Sequence, residues 1–380
     1  MKGEEQALCI AAIAIGLTLA PDPSVILGCI VGVLTGLVPG LHPNTFLPFL
    51  SGTAFIIGLA VSHSFFDFLP AIMLGAPDEA ASLSVLPGHK MLLRGKGLEA
   101  FRLTILGGLF AGTAAVALIP FLGFVKQIPA LVPLVLGFTL LTMLKTAGKK
   151  LPTLAIMAAA AITGHYALAA NALPAMLAGF FGTSTILFSL AKRPMIPPQL
   201  PHADARITHR QAGLAALAGW LAGLFPAVSP SVAAMAVCPR MRAREFLAVL
   251  GGTNTVYAVA AVLAIHVIGR PRSGAAIAVA AEYPPLLVIA GASLAAIGFS
   301  AWLAWELSRP LVLAFNKVNH RAASLVALAV VIGITALGGT QALVFLSVST
   351  VIGLVCLAWG VRRSTCMASL LIPVLLYYFL

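Results

Sequence analysis

Twice in this chain a glycine-spaced apolar helix runs into a Pro-x-x-x-Pro sequence that no helix crosses unbroken. The first is Gly32-Val-Leu-Thr-Gly-Leu-Val-Pro39-Gly-Leu-His-Pro43-Asn44-Thr45 and the second is Gly219-Trp-Leu-Ala-Gly-Leu-Phe-Pro226-Ala-Val-Ser-Pro230-Ser231. Gly32/Gly219, Leu34/Leu221, Gly36/Gly223, Leu37/Leu224, Pro39/Pro226 and Pro43/Pro230 are identical. Each proline removes a helix hydrogen bond and its ring clashes with the preceding turn. A match of this kind, one in each half, points to duplication. Corresponding interruptions in two apolar halves are the sequence sign of a secondary-transporter site near the bilayer midplane.

Only a membrane accommodates the rest. The 380 residues are 60% hydrophobic and 9% charged, more apolar surface than a soluble core hides. Apolar stretches of about 17 to 25 residues recur, long enough to span, and they predict roughly ten to twelve membrane-embedded segments. The fold class is therefore an all-α polytopic integral membrane protein, multi-pass in the cell membrane. The stretch Leu8 to Ala20 follows Glu4 and Glu5 with Lys2 as its one basic residue, a poor signal-peptide start, and reads as part of the first membrane helix.

The formal net charge of +12 does not indicate nucleic acid as a partner. The basic residues fall in short clusters between apolar runs, as cytoplasmic loops do. Lys90, Arg94, Lys96 and Arg102 form one; Lys145, Lys149 and Lys150 another; Arg240, Arg242 and Arg244 a third. Cys9, Cys29, Cys238, Cys356 and Cys366 are scattered through apolar sequence, so neither a disulfide framework nor a thiolate metal site is indicated. No nucleophile motif or phosphate-cradling loop appears, and the chain does not read as an enzyme.

Polar joints divide the chain into residues 1–191, a first repeat with flanking helices; 192–211, a polar linker containing Pro194-Met-Ile-Pro197-Pro198-Gln-Leu-Pro201; and 212–380, a second repeat with C-terminal helices. Within the first repeat Phe66 to Leu74 is too short to span and reads, with Ala80 to Val85 behind it, as a re-entrant element. In the second, Leu250-Gly-Gly-Thr253-Asn254-Thr255 is set where Leu74-Gly-Ala-Pro77-Asp78-Glu79 stands in the first.

Gly28, Gly32, Gly36 and Gly40 share one helix face on which two backbones approach closely. Pro at the first turn of a new helix is favourable, so Leu41 to Pro43 reads as the unwound tip of a hairpin, with Asn44 and Thr45 opening a half-helix. Free N–H groups at such a start attract carboxylate or phosphate. The expected substrate site is thus Pro39, Gly40, His42, Pro43, Asn44 and Thr45 from the first break and Ser229, Pro230 and Ser231 from the second. Asp78 and Glu79 are adjacent acids between apolar flanks, and ionisable residues at membrane depth are functional candidates by default. With Thr253, Asn254 and Thr255 they are assigned to ion coupling, for Na+ or H+, with no other cofactor and no metal. Glu282, near a polar joint, is expected to face water or pair with Arg270; His165 and His266 are expected to be satisfied polar residues.

Gly36-Leu-Val-Pro39-Gly40-Leu-His-Pro43, then Phe68-Leu-Pro-Ala-Ile72 and Gly75-Ala-Pro77-Asp-Glu-Ala-Ala81-Ser82, resemble the large membrane subunit of the tripartite tricarboxylate transporters. The basic loop Leu86-Pro-Gly88-His-Lys-Met91-Leu-Leu-Arg94-Gly95-Lys96-Gly97 is similar to the segment that follows in that family. The resemblance, to a short and divergent member, covers the first 125 residues or so and, more loosely, 212 to 260. It implies a permease for a di- or tricarboxylate working by alternating access, with a small membrane subunit and a periplasmic binding protein as partners, or none, and a homodimer as one assembly. The residues alone leave two alternatives: a flippase for an anionic lipid carrier such as a polyprenyl phosphate, whose headgroup suits the same helix starts, and a non-transporting membrane scaffold.

Overall fold

The computed structural model describes residues 1, 3–38, 43, 51–74, 85–119, 132–145, 147–192, 197–225, 228–238, 241–269, 271–317 and 319–379. Before the linker come α1 (Gly3–Leu19), α2 (Ser24–Leu37), α3 (Thr53–Phe66), α4 (Phe68–Leu74), α5 (Val85–Leu92), α6 (Gly97–Ala117), α7 (Val132–Lys145), α8 (Lys150–Ala169), α9 (Leu173–Leu177) and α10 (Ser184–Lys192). After it come α11 (His209–Leu224), α12 (Pro230–Val237), α13 (Ala243–Ile268), α14 (Gly274–Ala280), α15 (Leu286–Lys317), α16 (His320–Leu337), α17 (Gly339–Ala358) and α18 (Ala368–Phe379). A π-helix, Ala178–Thr183, separates α9 from α10, and a 3-10 turn, Arg363–Met367, precedes α18. Among the described residues there is no strand.

Among the described residues, six stretches are long and apolar enough to cross a membrane: Thr53–Met73, Gly97–Ala117, Lys150–Ala169, Ala243–Ile268, Leu286–Phe315 and Gly339–Ala358. Four shorter apolar helices accompany them. The protein is a multi-pass integral membrane protein.

The twin breaks end their helices in the same way. Val38, before Pro39, closes α2 at φ −98°, ψ 109°; Phe225, before Pro226, closes α11 at φ −93°, ψ 132°. Both sit in the extended region to which a following proline confines a residue. Both send their N–H back to the helix, to Leu34 O and Leu221 O. α12 then starts with Ser229 as its cap and Pro230 in its first turn.

The glycine ladder does not join one hairpin to the other; it welds each broken helix to the next long helix in its own half. A Cβ at Gly32 would meet Leu59 O, Ser62 and the His63 N–H, and one at Gly36 would meet Phe66 and the Asp67 N–H. Leu27, Ile30 and Leu34 on the opposite face of α2 are exposed, as a lipid-facing surface is. In the second half Gly219 lies on Val256 of α13 and Gly223 on Ala260. Carried along both pairs, this register matches Leu74-Gly-Ala-Pro77 with Ile268-Gly-Arg-Pro271, not with Leu250-Gly251-Gly252. The latter glycines leave α13 unbroken, because they serve packing: Gly251 rests on the Thr104 backbone and Gly252 on Gly107 O of α6.

The two halves are packed into each other. α6 crosses α13, while α15 packs against α3 and holds α1 along its outer side. The linker is docked as well. Gln199 accepts from the Gly97 N–H at 2.7 Å and donates to Leu92 O at 3.1 Å, and the Leu200 N–H donates to Gly95 O at 2.7 Å.

A second correction concerns Phe66 to Leu74. That piece is not a separate short element: α4 continues α3, and Thr53–Met73 forms one span. What interrupts it is Pro70, which has no N–H for the Phe66 carbonyl and whose ring crowds it. The helix opens by one residue there, at Asp67, whose N–H still reaches His63 O at 3.0 Å.

Candidate functional site

Asp67 sits at this opening, 3% exposed, between Phe66 and Phe68. Its place is about four residues, or about 6 Å, from the middle of the 53–73 span. Asn254, 3% exposed on α13, donates from Nδ2 to Asp67 Oδ2 at 2.8 Å and to Ser64 O at 3.3 Å. The amide orientation follows from its partners, since the flipped group would set an oxygen against a carboxylate. Ser64 donates from Oγ to Val61 O at 2.7 Å and lies 3.3 Å from Thr255 Oγ1. One turn back on α3, His63 Nδ1 lies 3.1 Å from Thr35 Oγ1 of α2. A chain of polar side chains therefore runs from α2 through α3 to α13 and joins the two halves in the interior, where hydrogen bonds to a charged partner are stronger than neutral ones.

Of the expected coupling residues, Thr253, Asn254 and Thr255 are all fully buried. They do not all face the same way. Thr253 Oγ1 donates to Val249 O at 2.8 Å and lies 3.5 Å from Ala215 O of α11, facing away from Asp67, whereas Asn254 and Thr255 face α3. Asp78 and Glu79 lie outside the described residues.

Of the expected substrate residues, Pro39, Gly40, His42, Asn44 and Thr45 lie outside the described residues, and Pro43 is buried. From the second break Ser229, Pro230 and Ser231 are all described. Ser229 Oγ accepts from the Val232 N–H at 3.4 Å, its hydroxyl lies 3.9 Å from Met367 Sδ, and Ser231 is wholly buried. The start of α12 thus opens inside the protein, against the 3-10 turn.

That turn carries Arg363, 4% exposed, a residue to which the sequence reading gave no role. Its Nη2 donates to the Phe180 and Phe181 carbonyls of the π-helix and lies 3.4 Å from Ser184 Oγ. The guanidinium also stands 5.4 Å from the centre of the Phe181 ring. A π-turn widens the helix and leaves carbonyls for such a donor. Among the described residues Nε and Nη1 find no acceptor. Cys356 and Cys366, ten apart in sequence, come together beside it as free thiols.

Glu282 is exposed, as its place near a polar joint leads one to expect, and it also holds partners in the other half. From the turn after α14 its carboxylate takes the N–H groups of Gly52 and Thr53, at 3.0 and 2.9 Å, and the Thr53 hydroxyl at 2.5 Å. It caps α3 from the other half, and the Thr53 hydroxyl, foremost, holds its carboxyl below the usual glutamate range. His266 bonds Pro284 O at 2.9 Å beneath the Tyr283 ring, a satisfied residue. Among the described residues no group of three His, Cys, Asp or Glu side chains could hold a metal.

Asp67 had a legible signal that was passed over: an acid inside an apolar run, three residues before a proline. Arg363 had none, because its burial depends on α8, α10 and α17 closing around the turn.

Comparison with known proteins agrees with this architecture. The family model described as the tripartite tricarboxylate transporter TctA family matches residues 24–368. An uncharacterized protein of Methanocaldococcus jannaschii is 26% identical over 393 residues, covering 93% of this chain and 98% of the relative. No solved structure matches.

Proposed function

This chain belongs to the tripartite tricarboxylate transporter TctA family, and from that premise we propose that it is a secondary transporter for an organic anion, a di- or tricarboxylate, working by alternating access coupled to H+ or Na+. The family is one of transporters, not enzymes, and its members form the large subunit of systems that include a small subunit and a periplasmic binding protein. Such partners are proposed for this chain too.

One observation supports the anionic cargo most directly. The start of α12, capped by Ser229, opens in the interior against the turn that bears Arg363. A half-helix start offers N–H groups and the positive end of a dipole. A buried guanidinium with N–H groups left over is costly unless an anion answers it. The site proposed is therefore Ser229, Pro230 and Ser231 of the second break together with Pro39, Gly40, His42, Pro43, Asn44 and Thr45 of the first, with Thr253, Asn254, Thr255, Asp78 and Glu79 serving the coupling ion. Residues 1–191 and 212–380 are read as related halves about the 192–211 linker. The reciprocal packing of α6 on α13 and α15 on α3 supports that reading.

The test is uptake of labelled citrate and succinate into proteoliposomes under imposed pH and Na+ gradients, with Asn44→Ala and Ser231→Ala beside the wild type. Gradient-driven accumulation that falls at least tenfold in both variants is expected. Translocation of a labelled polyprenyl phosphate with no uptake of either acid would overturn the carboxylate reading in favour of a lipid flippase.

A further inference from the structure

We infer that Asp67 is the group that carries the coupling ion, and that the ion is a proton. The inference rests on the reading of the chain as an ion-coupled transporter, but the residue was outside that reading. Its observations are the one-residue opening at Pro70, the burial of the carboxylate, and the bond from Asn254 that crosses between halves.

The chemistry is a single step. The carboxylate takes one proton, forming an O–H bond, and later returns it; nothing else is made or broken. In the charged form the Asn254 N–H meets an anion, about twice as strong a bond as with a neutral acceptor. Protonation therefore weakens the tie between α3 and α13, and it removes a charge whose burial at membrane depth is expensive. A change in contact between the halves is what alternating access requires.

A proton suits these surroundings better than Na+. Asn254 presents N–H, not oxygen, to the carboxylate, and the Ser64 and Thr253 hydroxyls are spent on carbonyls of their own helices. A metal cation wants a shell of oxygens.

Other titratable or charged groups stand on the span and on the described helices packed against it. His63, on the same helix, is turned to Thr35 of α2, and Cys29 of α2 lies with Ser300 of α15. His89 of α5 bonds the Ile72 carbonyl. Arg102 of α6 lies over the Trp305 ring with Glu306 of α15 beside it. Tyr257 stands one turn beyond Asn254 on α13, and Arg321 of α16 is exposed.

Two measurements on the full chain test the inference. Infrared titration of the protein in liposomes without cargo should show a carboxylic-acid C=O band that disappears in Asp67→Asn. Asn254→Ala removes a donor to the charged form, so the midpoint of that band should move up by about one pH unit. An Asp67 that stays charged throughout the working range of pH would show neither. In the uptake assay, Asp67→Asn should lower accumulation driven by a pH gradient at least tenfold and reduce exchange of labelled for unlabelled citrate far less. Overturning results are an unchanged infrared band in Asp67→Asn, or wild-type accumulation that follows Na+ and ignores pH. If the wild type moves neither acid, the transport reading fails, while the infrared band still decides whether Asp67 titrates.

Discussion

Replacing Gly107 by alanine should part the two halves where α6 and α13 meet backbone to backbone. A Cβ at Gly107 would lie 1.9 Å from Ala248 O of α13, with the Gly252 N–H group at 2.9 Å. To reach an ordinary separation of about 3.4 Å, α6 and α13 must move apart by about 1.5 Å, and a gap of about 1 Å already forfeits up to half of each dispersion contact. The same crossing holds Gly251 on the Thr104 backbone and Gly252 on Gly107 O, so the loss is shared by neighbouring contacts. Overpacking costs about 1 to 3 kcal/mol, and this site belongs at the upper end, about 3 kcal/mol, or a fall in Tm of about 4 °C for a chain of 380 residues. Gly112→Ala meets side-chain atoms alone, Ile297 Cδ1 at 3.0 Å and Thr255 Cγ2 at 3.1 Å, and should cost less than Gly107→Ala, about 1 kcal/mol. Gly137→Ala meets nothing within 4 Å and should leave Tm unchanged or raise it slightly. The five free cysteines are all buried, so a thiol-reactive dye reports unfolding in detergent. Gly107→Ala melting with Gly137→Ala would refute the claim that direct backbone contact binds the halves.

Other consequences are as direct. Glu282→Gln should leave the protein about 0.5 kcal/mol less stable at neutral pH, a cap's worth reduced by solvent. Because the folded carboxyl is held below 4.5, that difference should be full above pH 4.5 and vanish as pH falls through the folded value, read as converging melting curves. Gln199→Ala leaves the buried Gly97 N–H without its acceptor, a cost of about 1 to 3 kcal/mol, and should speed tryptic cleavage at Arg206. Arg363→Met should abolish citrate and succinate uptake, whereas Ser229→Ala, losing one cap, should lower it only several-fold with a loss of about 1 kcal/mol in stability.

Much of the architecture is legible in the chain because a bilayer allows few answers. Apolar length gives the spans, and Val38 and Phe225 adopt the extended conformation that any residue before proline must. What sequence leaves hidden is partnership. The glycine repeat in α2 states that something comes close but not that it is α3. Gly251-Gly252 look like a break and are contact points instead, since tertiary packing on α6 outweighs their low helix propensity. Asp78 and Glu79 draw attention by adjacency, while Asp67, equally charged and surrounded by apolar residues, becomes a site only when Asn254 is set against it from 187 residues away.

That separation has a consequence in time. A chain grows at about 5 to 20 residues per second, so Asp67 enters the membrane about 10 to 40 seconds before its amide partner exists. During that interval the first half holds a buried acid with nothing from the second half to answer it, and α3 lacks the carboxylate of Glu282 at its start as well. The first half is therefore a waiting intermediate. Its assembly is completed only as α13 and the turn after α14 arrive, which makes the order of insertion part of how this transporter reaches its fold.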